Sequence, residues 1–470
     1  MKKLGILLVA LLAASGCTGA PRPDKVAAKN VRTDNGEIAG LDATTTTTPG
    51  ADTTLAANAA AGTAASSAAK KAAAVAAAAK AGAPNATNTV ATLFRENEDR
   101  VGITNTSIKL CGHAALILAS AFNTKPEDLN VYWQMVRDRG GIYGRNVDVT
   151  FEDDQYKPDV AVQAAEKCKA KNPFFILGGI GFDQIPAVRN WAEANRQLYF
   201  HHIAVADTQN HQFSFSGQPT VEAVGKASGE YLLSHHRSEK LGVIYRQSEN
   251  WQPGFEAGRK FLSDHGVGAV SLPVQKDASV YSPQIAELQR QQVKVVWVWE
   301  NALAAAEFIK QARGQNYNPT FVVFPFQTTL DVLGDAGSTK SRIEGVATWP
   351  AYKRGGYHDA IGAAHEYDAE IARFEAAMAK YRPSVTPNDI LFQVWLGYKG
   401  VDELFQRCGP DCTRNKMAGL FLGGLKTTVE PGCAVDFSKG NHHVGSTHFY
   451  TQEAVAGPYF RTTQWCSEHL

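Results

Sequence analysis

The sequence predicts an α/β protein of two similarly built lobes, each a mostly parallel sheet with helices on both faces. Three observations lead there. From Ser107 onward, strand-like runs alternate with helix-like runs through short connections. Near residue 217 the alternation starts afresh and runs through a second series. The short apolar runs of both series are rich in β-branched residues, as suits strands covered on both faces.

In the first series SIKLCGHA reads as a buried strand. LNVYWQMVRDRGG carries apolar residues at helical spacing and stops on Gly140-Gly141. NVDVTFED is a strand, DVAVQAAEKCKAK a helix and FFILGG a strand, before a helix around 188–194 and the strand QLYFHHI. The second series opens with the helix TVEAVGKASGEYLLSHH. The strand KLGVIY, the helix GFEAGRKFLSDHG, the strand AVSLPV and the helix SPQIAELQRQQ follow. VKVVWVW, ALAAAEFIKQARG and TFVVFPF then give strand, helix and strand. Ligands of such sheets bind outside the carboxyl ends of the strands. That rule selects the loops at 113–122, 178–184, 204–208, 246–251, 300–301 and 325–328. Phe182, Trp251, Trp299 and Phe326 lie in or beside them, where flat side chains either wall a ligand or pack the cores.

The 470 residues are 44% hydrophobic and 20% charged, with 8 Trp, 15 Tyr and 22 Phe, which fits a globular chain and excludes one disordered throughout. Basic and acidic side chains number 47 and 46, for a net charge of +1, so no bulk excess of Lys or Arg exists to neutralise nucleic acid. The long apolar run at the N-terminus is too short for an ordinary spanning helix, which excludes a polytopic membrane protein.

That run belongs to MKKLGILLVALLAASGC, a basic start, an apolar core and small residues, the pattern of a secretory signal. Its small residues ending in Cys17 resemble a bacterial lipobox. The resemblance implies that Cys17 becomes the mature N-terminus and carries lipid, anchoring the protein to the outer face of a membrane. Residues 18–100, with TTTTTPG at 44–50 and an Ala-rich stretch at 55–83, lack a core-forming pattern and read as a tether, with folding proper from Val101. The other six cysteines, an even number in an exported chain, are disulfide candidates. Cys408 and Cys412 flank a short turn, Cys433 and Cys466 lie in the C-terminal segment, and Cys111 and Cys168 are either a bridge or free buried thiols.

Catalytic and cofactor motifs are missing: there is no GxSxG, HExxH, P-loop or GxGxxG after a strand. GGIGFDQ lacks the glycine spacing of a dinucleotide loop. The pairs His201-His202, His235-His236 and His442-His443 read as surface or loop histidines, and Asp153-Asp154 as solvated turn residues. No metal and no cofactor are expected, and nothing asks for an enzyme.

The order of segments resembles the type I periplasmic binding proteins of the leucine/isoleucine/valine-binding family, receptors of ABC importers. The resemblance is carried by GITNTSIKL, DRGGIYGRNVDVTFEDDQYKPDVAVQAAEKC, FSGQPTVEAVGKASGEYLL, KLGVIYRQSENWQPGFEAGRKFL and SPQIAELQRQQVKVVWVWENALAAAEFIKQARGQNYNPTFVV, from about Val101 to about Tyr450. It implies a two-lobed receptor with three interlobe crossings that closes on a ligand. It divides the chain into a signal at 1–17, a tether at 18–100, a first lobe of 101–216 with 318–445, and a second of 217–317 with 446–470. By the same resemblance Trp251 covers the ligand and Glu300 and Asn301 form the next second-lobe ligand loop. Phe326 and Gln327 stand where amino-acid binders have an acid for the ammonium. Phe182 and Asp183 stand where those members have hydroxyls for the carboxylate, a role Thr208 shares. Gln393 faces the cleft from a first-lobe helix.

Both ends of the α-amino-acid clamp therefore look altered: GGIGFDQ has no hydroxyl and FPFQTT lacks the acid. Unless Glu300 or Arg246 compensates, a zwitterion would leave buried charge unpaired. The expected function is an extracytoplasmic solute-binding lipoprotein, on the cell surface or in a periplasm. It would be monomeric and would hand an amide, polyol-like, aromatic or cationic solute, not a branched-chain amino acid, to an ABC permease and its ATPase. A ligand sensor for a signalling partner, or a cleft hydrolase using Asp183 or Glu300, are the rival expectations.

Overall fold

The computed structural model describes residues 92–118, 122–201, 211–334, 342–352, 363–430, 433–438, 442–445, 448–455, 459–468 and 470. The signal with Cys17, the tether as far as 91, and Thr208 lie outside the described residues. The first strand–helix series runs β1 (Ser107–Ala114), α1 (Val131–Asp138), β2 (Asn146–Asp153), α2 (Pro158–Ala170), β3 (Ile176–Gly178), α3 (Ile185–Ala194), β4 (Tyr199–His201) and β5 (Ser214–Ser216). The second runs α4 (Val221–His236), β6 (Leu241–Gln247), α5 (Gln252–Asp264), β7 (Ala269–Gln275), α6 (Ser282–Arg290), β8 (Val295–Trp299), α7 (Ala302–Gly314), β9 (Thr320–Val323), α8 (Gln327–Leu333) and β10 (Ile343–Ala347). There follow α9 (Ala363–Tyr381), α10 (Asp389–Cys408), α11 (Arg414–Leu422), the hairpin β11 (Lys426–Glu430) with β12 (Cys433–Asp436), and β13 (Phe449–Val455) with β14 (Tyr459–Ser467).

The first sheet is parallel throughout in the order β2-β1-β3-β4-β5. The second has the order β14-β13-β10-β9-β8-β6-β7, parallel except for β13 and β14, which pair antiparallel on one edge. Continuous apolar runs mark the strands covered on both faces: every residue of β8, VVWVW, is buried. Phe374, Phe392, Trp395, Phe421 and Phe437 return the chain from α9 to β12 to the core of the first sheet. The chain thus passes between the two lobes after β5, after β10 and again before β13.

Two expected boundaries are corrected. β9 and β10 belong to the second sheet, so the first lobe resumes after β10 rather than at 318. These strands continue the alternation that built β8 and dock beside it, so no break in pattern marks the crossing. Folding also begins before Val101. Leu93 and Phe94 are buried in the first lobe, where Asn415 Oδ1 accepts from the Phe94 amide at 2.8 Å and Asn415 Nδ2 donates to the Phe94 carbonyl at 2.9 Å. The histidine and carboxylate readings change as well. His201, His236 and Asp154 are buried, because each forms part of a polar network inside the fold.

Disulfides join Cys111 to Cys168, Cys408 to Cys412 and Cys433 to Cys466. The first ties β1 to α2 across a sequence separation of 57. Helices α4 and α5 meet through glycines spaced four apart on each. A Cβ at Gly225 would lie 1.8 Å from the Gly254 carbonyl oxygen, and one at Gly229 would lie 2.8 Å from that of Gly258. Only glycine permits so close a backbone approach. The contact sets Gly254, in the first turn of α5 that follows Trp251, against Val221 of α4.

Candidate functional site

Between the lobes lies a cavity of about 410 Å³, a volume typical of small-molecule sites. Tyr156, Ile180, Phe182, Ile390 and Gln393 reach it from the first lobe. Arg246, Trp251, Trp299, Asn301 and Phe326 reach it from the second, with Trp349 just past β10. Its lining is predominantly apolar and aromatic. Phe182 meets Trp251 edge-on at 5.1 Å between ring centroids, and Trp251 meets Trp299 at 5.5 Å. A second group, Phe324, Phe326 and Trp349, has centroids 5.0–5.4 Å apart. Edge-to-face packing of this kind holds the rings as fixed walls.

Hydrogen bonds anchor those walls. Trp299 Nε1 donates to the Trp251 carbonyl at 2.7 Å, and Trp251 Nε1 donates to Asp183 Oδ1 at 2.7 Å. The second bond crosses from one lobe to the other, as does the bond from Asn250 Nδ2 to the Asp183 carbonyl at 3.0 Å. Arg246, at the end of β6, stands between two carboxylates, 3.6 Å from Asp183 Oδ2 and 3.4 Å from Glu300 Oε2. Burial pushes the Asp183 carboxyl above its usual range, opposed by the Arg246 charge and the Trp251 hydrogen bond. Burial likewise pushes Glu300 up to about 7, with Arg246 opposing.

A buried network shapes the first-lobe wall. His113 Nδ1 bonds Asp154 Oδ2 at 2.8 Å, and His113 Nε2 bonds the Tyr199 hydroxyl at 2.8 Å. The other Asp154 oxygen accepts from Gln184 Nε2 at 3.1 Å and from the Tyr156 amide at 2.9 Å. That last bond fixes Tyr156 at φ 59°, a left-handed conformation an unconstrained tyrosine avoids. Its ring lies against Gly181, where a Cβ would come within 2.6 Å of it.

Of the residues singled out from the sequence, Phe182, Trp251, Asn301, Phe326 and Gln393 line the cavity. Asp183 and Glu300 do not; they stand behind the wall, joined through Arg246. Asp183 is thus turned to Trp251 and Arg246 rather than to a ligand. Asn301 Oδ1 caps α7 by accepting from the Ala304 amide at 3.0 Å. Gln327 opens α8. Tyr156, Tyr281 and Trp349 also line the cavity and were not singled out. Tyr156 and Trp349 directly follow strands β2 and β10, so the strand-end rule applied to those two strands finds them. Among the described residues no cluster of His, Cys, Asp and Glu is arranged to hold a metal ion, and no helix is long and apolar enough to cross a membrane.

A family model described as periplasmic binding protein matches residues 129–458. The Leu/Ile/Val-binding protein homolog 1 of Brucella abortus is 26% identical over 192 residues, which span 40% of this chain and 52% of that protein. The chain thus spans about half the length of the curated relatives it matches. The fold is shared with a fatty acid ABC transporter substrate-binding protein from Thermomonospora curvata, at TM-score 0.65 and 15% identity over 78% of this chain and 94% of that one. It is shared too with the branched-chain amino acid transporter substrate-binding protein LivJ of Streptococcus pneumoniae in complex with isoleucine, at TM-score 0.60 and 12% identity over 76% and 99%. With a family match across most of the folded residues and this two-sheet architecture, the chain belongs to the type I periplasmic binding proteins of the leucine/isoleucine/valine-binding family.

Proposed function

We propose that this protein is the extracytoplasmic solute-binding lipoprotein of an ABC importer, anchored through Cys17, and that its interlobe cavity holds a small molecule other than a branched-chain amino acid. The observation that carries the reading is the predominantly apolar, aromatic-rich cavity whose inner carboxylates, Asp183 and Glu300, are spent on Arg246 and Trp251. A zwitterion needs a free carboxylate for its ammonium and free donors or hydroxyls for its carboxylate. Loop 178–184 offers no hydroxyl, and Phe326 stands where the family resemblance places an acid. The fold-sharing Thermomonospora protein is named for fatty acids, so an apolar cargo has a counterpart on this scaffold. Neither Asp183 nor Glu300 opens onto the cavity as a hydrolytic carboxylate must.

Isothermal titration of the purified protein with leucine, isoleucine and valine is expected to give no heat of binding. Micromolar affinity for any of the three would overturn the reading. A thermal-shift panel of aliphatic and aromatic acids, amides, amines and sugars is expected to return a hit among the apolar members. A ligand at a hundredfold its dissociation constant adds about 2.7 kcal/mol of stability, enough for a clear rise in Tm.

A further inference from the structure

Two residues that line the cavity each carry a buried donor atom with no hydrogen-bond partner, Arg246 Nε and Gln393 Nε2. They come from opposite lobes, Arg246 from the end of β6 and Gln393 from α10. Gln393 is only 6% exposed, so water does not readily supply the missing acceptor. A glutamine can turn either end of its amide inward, but an arginine only donates. The site therefore asks for an acceptor.

Charge narrows the choice. Inside the wall Arg246 is already faced by Asp183 and Glu300, so a ligand carboxylate would have to share that cation with two carboxylates. Lys276 also lines the cavity and is accompanied there by Asp277 and Glu307, so the lining carries no net positive charge. For a ligand ammonium the two inner carboxylates lie behind the wall, and the acids that do line the cavity, Asp277 and Glu307, share it with the cations Arg246 and Lys276. The remaining surface is apolar, with aromatic rings in two fixed groups beside aliphatic residues such as Ile180, Val221, Leu303 and Ile390.

From the two orphan donors and this charge balance we infer that the cargo is an uncharged aromatic compound bearing a carbonyl-type acceptor oxygen, an aryl amide or ketone. Its rings stack in the aromatic walls, and its oxygen takes the hydrogen bonds that Arg246 and Gln393 leave unmade. Because the donors belong to different lobes, a ligand engaging both favours the lobes being together. This inference rests on the reading of the cavity as the ligand site.

The test is a matched series on the purified full chain: indole-3-acetamide, indole-3-acetate and tryptamine, with benzamide, benzoate and benzylamine beside them. Binding is read by calorimetry and by the fluorescence of Trp251, Trp299 and Trp349. The amide of at least one set is expected to bind at least about tenfold tighter than its anion and its cation, the discrimination one hydrogen bond and one uncompensated charge provide. Gln393→Leu, which removes a buried orphan donor, is expected to lower amide affinity about tenfold while leaving the Tm of the ligand-free protein unchanged or higher. Equal or tighter binding of either charged partner overturns the class. So does silence of both sets when an aliphatic compound raises Tm, a result that leaves the receptor reading standing. Micromolar leucine binding instead removes the reading beneath it.

Discussion

Glu300 is a carboxyl enclosed by Arg246, Asp183, Tyr281 and the amide of Asn301, and burial raises it from the ordinary 4.5 to about 7. The folded chain therefore holds this proton more tightly than the unfolded chain does. Its contribution to stability is fully present below about 4.5 and is lost as pH rises through about 7. A shift of that size corresponds to roughly 3 kcal/mol. Glu300→Gln mimics the protonated form, so between pH 5 and pH 8 the native protein is expected to lose stability relative to the variant by up to that amount. Guanidinium melts of both proteins at the two pH values measure the difference, and parallel pH profiles would contradict it. His113 makes the second case at this scale. His113→Leu removes the partner of one buried Asp154 oxygen, with an expected cost of about 1–3 kcal/mol. Because Asp154 also fixes Tyr156, ligand affinity is expected to fall with stability. An affinity unchanged in a destabilised variant would separate the network from the site. The strand-end rule selected the loops of Asp183 and Asn301, and the family resemblance added Gln393. The sequence did not reveal that Asp183 is committed to Trp251 or that Asn301 caps a helix, because such commitments depend on partners 68 residues away or on local backbone geometry.

At the scale of elements, the parallel strands were legible because VVWVW and LGVIY are continuous apolar runs, and the helices because their apolar residues recur at helical spacing. The assignment of β9 and β10 to a lobe was not legible, since alternation specifies a strand and its crossover but not the sheet edge at which the chain leaves. The α4–α5 contact was hidden too: glycines four apart are common, and only the facing pair gives them meaning. Gly225→Ala places a methyl against the Gly254 carbonyl and is expected to cost about 1–3 kcal/mol by forcing the helices apart. Trp251 moves with α5, so ligand-dependent quenching of tryptophan fluorescence is expected to weaken as well. A variant as stable as the parent would show that the helices separate freely. Among the crosslinks, the one closing the longest stretch restricts the unfolded chain most. Cys111→Ala with Cys168→Ala is expected to cost about 4 kcal/mol, and Cys408→Ala with Cys412→Ala about half of that. Denaturant midpoints of the two double variants test the order, which a larger loss from the short loop would reverse.

For the whole molecule, the question is what holds the lobes together around the cavity. Beside the ring contact of Phe182 with Trp251, the polar contacts described between loop 178–184 and segment 246–251 are few and specific: Trp251 Nε1 to Asp183 Oδ1, Asn250 Nδ2 to the Asp183 carbonyl, and the longer approach of Arg246 to Asp183. Asp183 is thus the first-lobe end of all three polar contacts, on a loop that glycines 178, 179 and 181 allow to lie close against its neighbours. The strand-end rule located this loop from the sequence. Its role as a latch was not legible, because a latch exists only where two distant loops meet. Asp183→Ala keeps the loop backbone and its carbonyl bond but removes the carboxylate that meets Trp251 and Arg246. A hydrogen bond to a charged group contributes about 1.5–3 kcal/mol, so the balance between closed and open lobes is expected to shift roughly ten- to a hundredfold towards open. Small-angle scattering of the ligand-free variant is expected to show a larger radius of gyration than the parent, and a saturating ligand is expected to bring the two values together again. If the variant scatters like the parent with and without ligand, closure is set by the hinge segments rather than by this latch.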